Sequence, residues 1–175
     1  MVRSISLCLL LAFCFVTSCG QTAVGKKLID EINTAKVKAR HLSDEGQRKQ
    51  DEAREKGEKG DKAEHDKLMK EAAKIYEQAS GTLQKAAANA KELAKLQSPP
   101  WYEEYFGLQA RLLDNLANLA AGAHDELLAR NSGTPSEAQV QLWKDQLKRI
   151  REENEELRKQ IASIESRQGV VLIKE

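Results

Sequence analysis

Residues 134–169 read TPSEAQVQLWKDQLKRIREENEELRKQIASIESRQG, and the period of their apolar side chains decides the fold class. Val140, Trp143, Leu147, Ile150, Asn154, Leu157, Ile161 and Ile164 follow one another by steps of three and four. That spacing puts them on a single stripe of an α-helix, as the a and d positions of a coiled-coil seam. Thr134-Pro135-Ser136-Glu137 predicts the start, as a capping box with proline at the first helical position. Asn154 is the one polar residue on the stripe; an amide at an a position costs stability but fixes register and strand number. Two arrangements would cover the stripe. It closes a bundle within one chain, with Asn154 reaching a polar neighbour, or it pairs in parallel with a second copy, where Glu153 at g would meet Arg158 at e.

Working outward, breaks occur at Gly57-Glu58-Lys59-Gly60, at Ser98-Pro99-Pro100 and at Asn131-Ser132-Gly133-Thr134-Pro135. They divide the remaining chain into helices of about Thr22–Lys56, Asp61–Gln97, Trp101–Arg130 and Pro135–Arg167, each roughly 45 to 55 Å long at ~1.5 Å per residue. Leu28, Ile32, Ala35, Ala39, Leu42 and Gly46 form the apolar stripe of the first. Leu68, Ala72, Ile75, Ala79, Leu83, Ala86, Ala90 and Leu93 form that of the second, and both faces are small enough for close approach. The third is richer in leucine, with Leu108, Leu112, Leu113, Leu116, Leu119 and Leu127, and is expected to lie deepest. Similar lengths and short turns predict an all-α fold, an elongated up-down-up-down four-helix bundle with coiled-coil character. Between Ser43 and Lys67 only Ala53 and Ala63 are apolar, so the first hairpin is expected to end in a charged, solvated tip. Glu45/Lys49, Glu52/Lys56, Glu55/Lys59 and Glu58/Lys62 there have helix-supporting spacing. Because this pattern crosses Gly57 and Gly60, one unbroken rod from Thr22 to Gln97 is the alternative.

The N-terminus has a different composition. Arg3 is its single charge, an apolar run from Ile5 to Val16 follows, and then Thr17 and Ser18. This is the plan of an export signal, too short for the ~20 apolar residues of a spanning helix. Val16-Thr17-Ser18-Cys19, an aliphatic residue, two small ones and a cysteine, resembles the lipobox of bacterial lipoproteins. The resemblance covers the signal and its junction. It implies that the sulfur of Cys19 receives a diacylglycerol, that the signal is cut before it and that the freed amine is acylated. Several palmitate-like chains hold a protein on a bilayer stably, where a single chain binds only marginally. The alternative is a general secretory signal cut after Gly20. With Cys8 and Cys14 in the signal, Cys19 is the only cysteine of the mature chain, so no internal disulfide is expected. The expected organisation is a signal peptide at 1–18, a lipidated linker at 19–21, a helical domain at 22–168 and an apolar tail at 169–175.

Lys and Arg total 28 against 27 Asp and Glu, interspersed along the chain rather than gathered into a basic face, which argues against a nucleic-acid partner. His41, His65 and His124 have no Glu three residues before them, and the Cys-x-x-Cys-His of covalent haem is missing. Neither a phosphate-cradling glycine loop nor a Gly-x-Ser-x-Gly elbow is present. No catalytic residue, metal or cofactor is therefore expected, and the histidines are expected to be solvated.

The sequence predicts a lipid-anchored scaffold of the cell envelope, or else an exported helical module whose interior takes a small ligand or cofactor. The expected partners are the membrane, other envelope proteins and a second copy through the fourth helix. The general plan is similar to that of the murein lipoproteins of enteric bacteria, although here Lys174 is followed by Glu175. Gly20 after the cysteine predicts the outer membrane, facing the periplasm, in a cell that has one, and the cell membrane otherwise. Trp101 and Tyr102, with Tyr105 and Phe106, and the tail Val170–Ile173 are expected at the anchored end, either at the membrane interface or capping the core.

Overall fold

A computed structural model describes residues 3–96 and 99–173, with side chains from residue 23 onward. Its four helices are α1 (Arg3–Glu58), α2 (Lys62–Ala94), α3 (Trp101–Ser132) and α4 (Glu137–Gln168), and they pack as a four-helix bundle. Consecutive helices run antiparallel, and α2 lies between α1 and α3. The predicted boundaries hold within a few residues except at the start. There α1 begins far ahead of Thr22: Gly20, at about 1 kcal/mol, is the costliest helix residue between the apolar run and Thr22 and does not by itself end the helix. Among the described residues no helix is long and apolar enough to cross a membrane. The side chains of the lipobox and Cys19, and all of Lys174 and Glu175, lie outside the described residues.

The rod alternative fails at Gly60, whose φ of +79° is a left-handed conformation that favours glycine. Asp61 then caps α2, its carboxylate accepting from the Glu64 N–H at 3.2 Å. At the other hairpin, the capping box forms two residues later than predicted. Ser136 is the N-cap, its hydroxyl accepts from the Gln139 N–H at 3.3 Å, and the Gln139 side chain accepts from the Ser136 N–H at 3.4 Å. Ser136-x-x-Gln139 satisfies both groups, so Pro135 stands before the cap instead of inside the helix.

The core is made of small side chains along α1 and α2 and large ones at one end. Ala72, Ala79, Ala86, Ala87 and Ala90 of α2 are buried with Ile32, Ala39 and Ala53 of α1. The largest fully buried side chains, Ile32, Leu93, Tyr105, Phe106, Leu113, Leu157 and Ile164, belong to one cluster toward the end where α3 starts and α4 finishes. A second cluster, Ala53, Leu68, Met69, Ala72, Ala73, Tyr76 and Leu127, fills the opposite half. α3 is thus not alone in lying deep: α2 is buried along its whole length, while Leu116 and Leu119 of α3 are only partly covered.

The hairpin tip is shorter than predicted. Gly46 is buried against Tyr76, Gln50 Nε2 donates to the Tyr76 hydroxyl at 3.0 Å, and Lys49 reaches Glu71 at 2.8 Å. Packing therefore continues to Ala53, and the fully exposed cap is confined to residues 54–63. Lys49 faces α2 and so pairs with Glu71 rather than Glu45, and Glu52 pairs with Arg48 at 2.7 Å. Of the predicted pairs, Glu55/Lys59 is present at 3.9 Å.

Gly46 and Gly81 provide a test of this close approach. A Cβ at Gly46 would stand 2.9 Å from two carbons of the Tyr76 ring, whereas one at Gly81 meets nothing within 4 Å. Gly81→Ala should stabilise the fold by about 0.5–1 kcal/mol through helix propensity. Gly46→Ala should instead destabilise it by about 1–3 kcal/mol, as overpacking does; urea unfolding of the two variants measures both.

Candidate functional site

Three features stand apart from the regular packing: the end of the bundle carrying the aromatic group, the fourth helix, and an open flank. At the aromatic end, Tyr105 and Phe106 are completely buried and Trp101 and Tyr102 are half-buried. Their rings meet edge to face, with centroids 4.7 Å apart for Trp101–Tyr102 and 5.0 Å for Tyr105–Phe106. Tyr105 and Phe106 are core side chains.

The Tyr105 hydroxyl is a junction between three parts of the chain. It donates to Glu165 Oε1 at 2.8 Å and accepts from the Ile173 N–H at 3.2 Å and from Gln109 Nε2 at 3.3 Å. Asn33 Nδ2 of α1 donates to the Leu172 carbonyl at 3.2 Å. Gly169 ends α4 with φ +66°, and the tail after it turns back so that Ile173 is buried while Val171 remains 65% exposed. Burial pushes the Tyr105 pKa up to about 12, the Ile173 N–H opposing this rise and the Glu165 carboxylate adding to it. The apolar tail predicted from sequence is therefore a strap that ties α4 to α1 and α3.

The seam of α4 is buried only in its second half. Asn154, Leu157, Ile161 and Ile164 are covered, whereas Val140, Trp143, Leu147 and Ile150 are half-covered and Leu142, beside the stripe, is 56% exposed. Asn154 is 4% exposed and its Oδ1 accepts no hydrogen bond. Closure of the bundle within one chain predicts a polar neighbour for Asn154, and among the described residues its Oδ1 has none. Glu153 pairs with Arg111 of α3 at 2.8 Å in the same chain, a contact that lowers its pKa, with Asn115 adding to the effect. Both partners are largely exposed, so the pair contributes little to stability. Arg158 makes no ion pair among the described residues and points to the open flank.

That flank exists because α4 leans on α3 and has no extended contact with α1. A groove of about 800 Å³ lies there. Ala39, Leu83, Leu112, Leu116, Leu119 and Ala120 supply its apolar surface, and Arg40 and Arg158 line it from α1 and α4.

Two histidines are less solvated than predicted. Nδ1 of His65 donates to the Ala53 carbonyl and Nδ1 of His124 to the Ala73 carbonyl, each at 2.9 Å, so they join neighbouring helices. His41 is exposed. Among the described residues no three His, Cys, Asp or Glu side chains converge as metal ligands. The Tyr105 junction and the groove were both missed from the sequence, because each depends on the antiparallel register of α3 with α4.

No known protein family, curated protein or solved structure matches this chain.

Two substitutions probe α4 and its strap. Tyr105→Phe should cost ~1–3 kcal/mol, since it leaves the buried Ile173 N–H without its acceptor, and should speed exchange of that amide. The folded pKa of about 12 lies above the ordinary 10.0, so the stabilisation is intact below pH 10 and is lost as pH rises toward 12. Urea midpoints over that window should fall more steeply for the wild type than for Tyr105→Phe. Asn154→Leu should raise stability by ~1 kcal/mol or more, by removing a buried oxygen that has no partner; a loss in the same assay would mean that the amide is held by a partner in solution.

Proposed function

We propose that this chain is a lipid-anchored protein of the cell envelope whose helical bundle acts as a scaffold for other envelope proteins. The observation that carries the reading is Val16-Thr17-Ser18-Cys19 directly after the apolar run. The bundle geometry supports it. Cys19 precedes Gly25, which packs against Leu93 and Leu96, so an anchor there stands beside the aromatic end. Trp101, Tyr102 and the exposed Val171 then lie toward the bilayer, and the charged cap at 54–63 is held some 50 Å out at ~1.5 Å per residue. The half-covered stripe Val140–Ile150, with Leu142 and the 42% exposed Leu128, offers apolar surface away from the membrane. Such surface suits a helical partner, whether another envelope protein or the same helix of a second copy. The membrane is the outer membrane, on its periplasmic side, in a two-membrane cell, and the cell membrane otherwise.

A second reading, an exported module that binds a small ligand, is favoured by one specific observation, the groove between α1 and α4. Its volume of about 800 Å³ falls within the ~300–1,000 Å³ of small-molecule sites.

Cells expressing the chain should incorporate labelled palmitate into it, and Cys19→Ser should abolish the label and leave the signal uncleaved. A mature, unlabelled protein starting at Gln21 would sink the anchored reading.

A further inference from the structure

We propose that the groove between α1 and α4 binds a single-chain anionic amphiphile, an acyl chain carrying a carboxylate or comparable anionic head. This inference deepens the ligand-binding reading and rests on it; it does not depend on lipidation of Cys19.

Three observations carry it. The leucine and alanine side chains from α1, α2 and α3 make a continuous apolar floor, and polar groups stand mainly on the α1 and α4 walls. Those walls are cationic. Arg40 comes from α1 and Arg158 from α4, both are exposed, and among the described residues neither guanidinium has a carboxylate or hydrogen-bond partner. Among the described residues that line the groove, Asp44 is the one carboxylate. Guanidinium groups present a fork that matches a carboxylate or phosphate, so two of them on facing walls suit one anionic head above an apolar chain.

The α1 wall runs from Asn33 to Asp44, a length of about 16 Å at 1.5 Å per residue. The groove's volume of about 800 Å³ is within the ~300–1,000 Å³ of small-molecule sites, and an acyl chain fits it without parting α1 from α4.

The test uses the full chain in neutral phosphatidylcholine nanodiscs and three photoreactive probes of equal chain length: a carboxylate, an alcohol and a trimethylammonium. Each carries a diazirine at the end of its chain. The carboxylate should label peptides containing Leu83, Leu112, Leu116 or Leu119 more heavily than the other two probes do. Combining Arg40→Glu with Arg158→Glu should cut that labelling by about tenfold or more, the loss expected for charge-assisted hydrogen bonds. Labelling by the alcohol should be unchanged, and circular dichroism of the double variant should match the wild type, as both arginines are exposed. Leu116→Trp, which fills the groove, should remove labelling by every probe. If the three probes label the groove equally in the wild type, the anionic class is wrong while a ligand site stands. If no probe reaches these peptides, if they cross-link only to a second copy or another protein, or if labelling survives Leu116→Trp, both the class and the site are wrong.

Discussion

The close approach of α1, α2 and α3 through small side chains is the constraint on which the rest of the structure depends. Alanine offers few atoms for dispersion, so a face made of Ala72, Ala79, Ala86 and Ala90 holds its neighbours only when backbones come near. Gly46 marks how near, since its neighbour is the Tyr76 ring at a distance that leaves no room for a methyl group. Helices this close expose backbone carbonyls to the side chains of the next helix. His65 and His124 use that opportunity by donating to Ala53 and Ala73, which places two polar cross-links where a bulkier interface would have kept the helices apart.

The fourth helix joins this layer by different means. Large side chains at the start of α3, with Leu157, Ile161 and Ile164 of α4, belong to one buried cluster. The returning strap adds Ile173 and the Tyr105 junction at the same end. Farther along, α3 offers the run Ala120-Ala121-Gly122-Ala123, and α4 opposite carries Trp143, Leu147 and Ile150 only half-covered. A helix attached firmly at one end and loosely at the other leaves a flank open beside α1. The groove and the half-covered stripe, the two surfaces available for recognition, both result from this uneven attachment.

Charge plays a supporting part. The ion pairs within single helices sit on exposed faces and add tenths of a kcal/mol each. Pairs that cross between helices, such as Lys91–Asp114 at 2.7 Å and Arg111–Glu153 at 2.8 Å, specify which faces meet more than they stabilise the meeting. Arg40 and Arg158 both line the groove, and among the described residues no carboxylate pairs with either guanidinium.

The sequence by itself determined the helices, their approximate ends and their antiparallel order, because period, capping residues and glycine are local signals. Asn154 was also legible as a buried position, since it lies in step with seven apolar side chains on the α4 stripe. How far packing climbs toward Ala53, and which acid answers Lys49, were decided between helices, where neighbours in space compete with neighbours in sequence. Tyr105 shows the limit most clearly. Its aromatic ring announced burial or an interface, but its partners Glu165 and Ile173 lie 60 and 68 residues away, and only the register of two antiparallel helices brings them to one oxygen. The groove has the same origin, for Arg40 and Arg158 are unremarkable residues on charged helices until the packing of α4 on α3 sets them on facing walls.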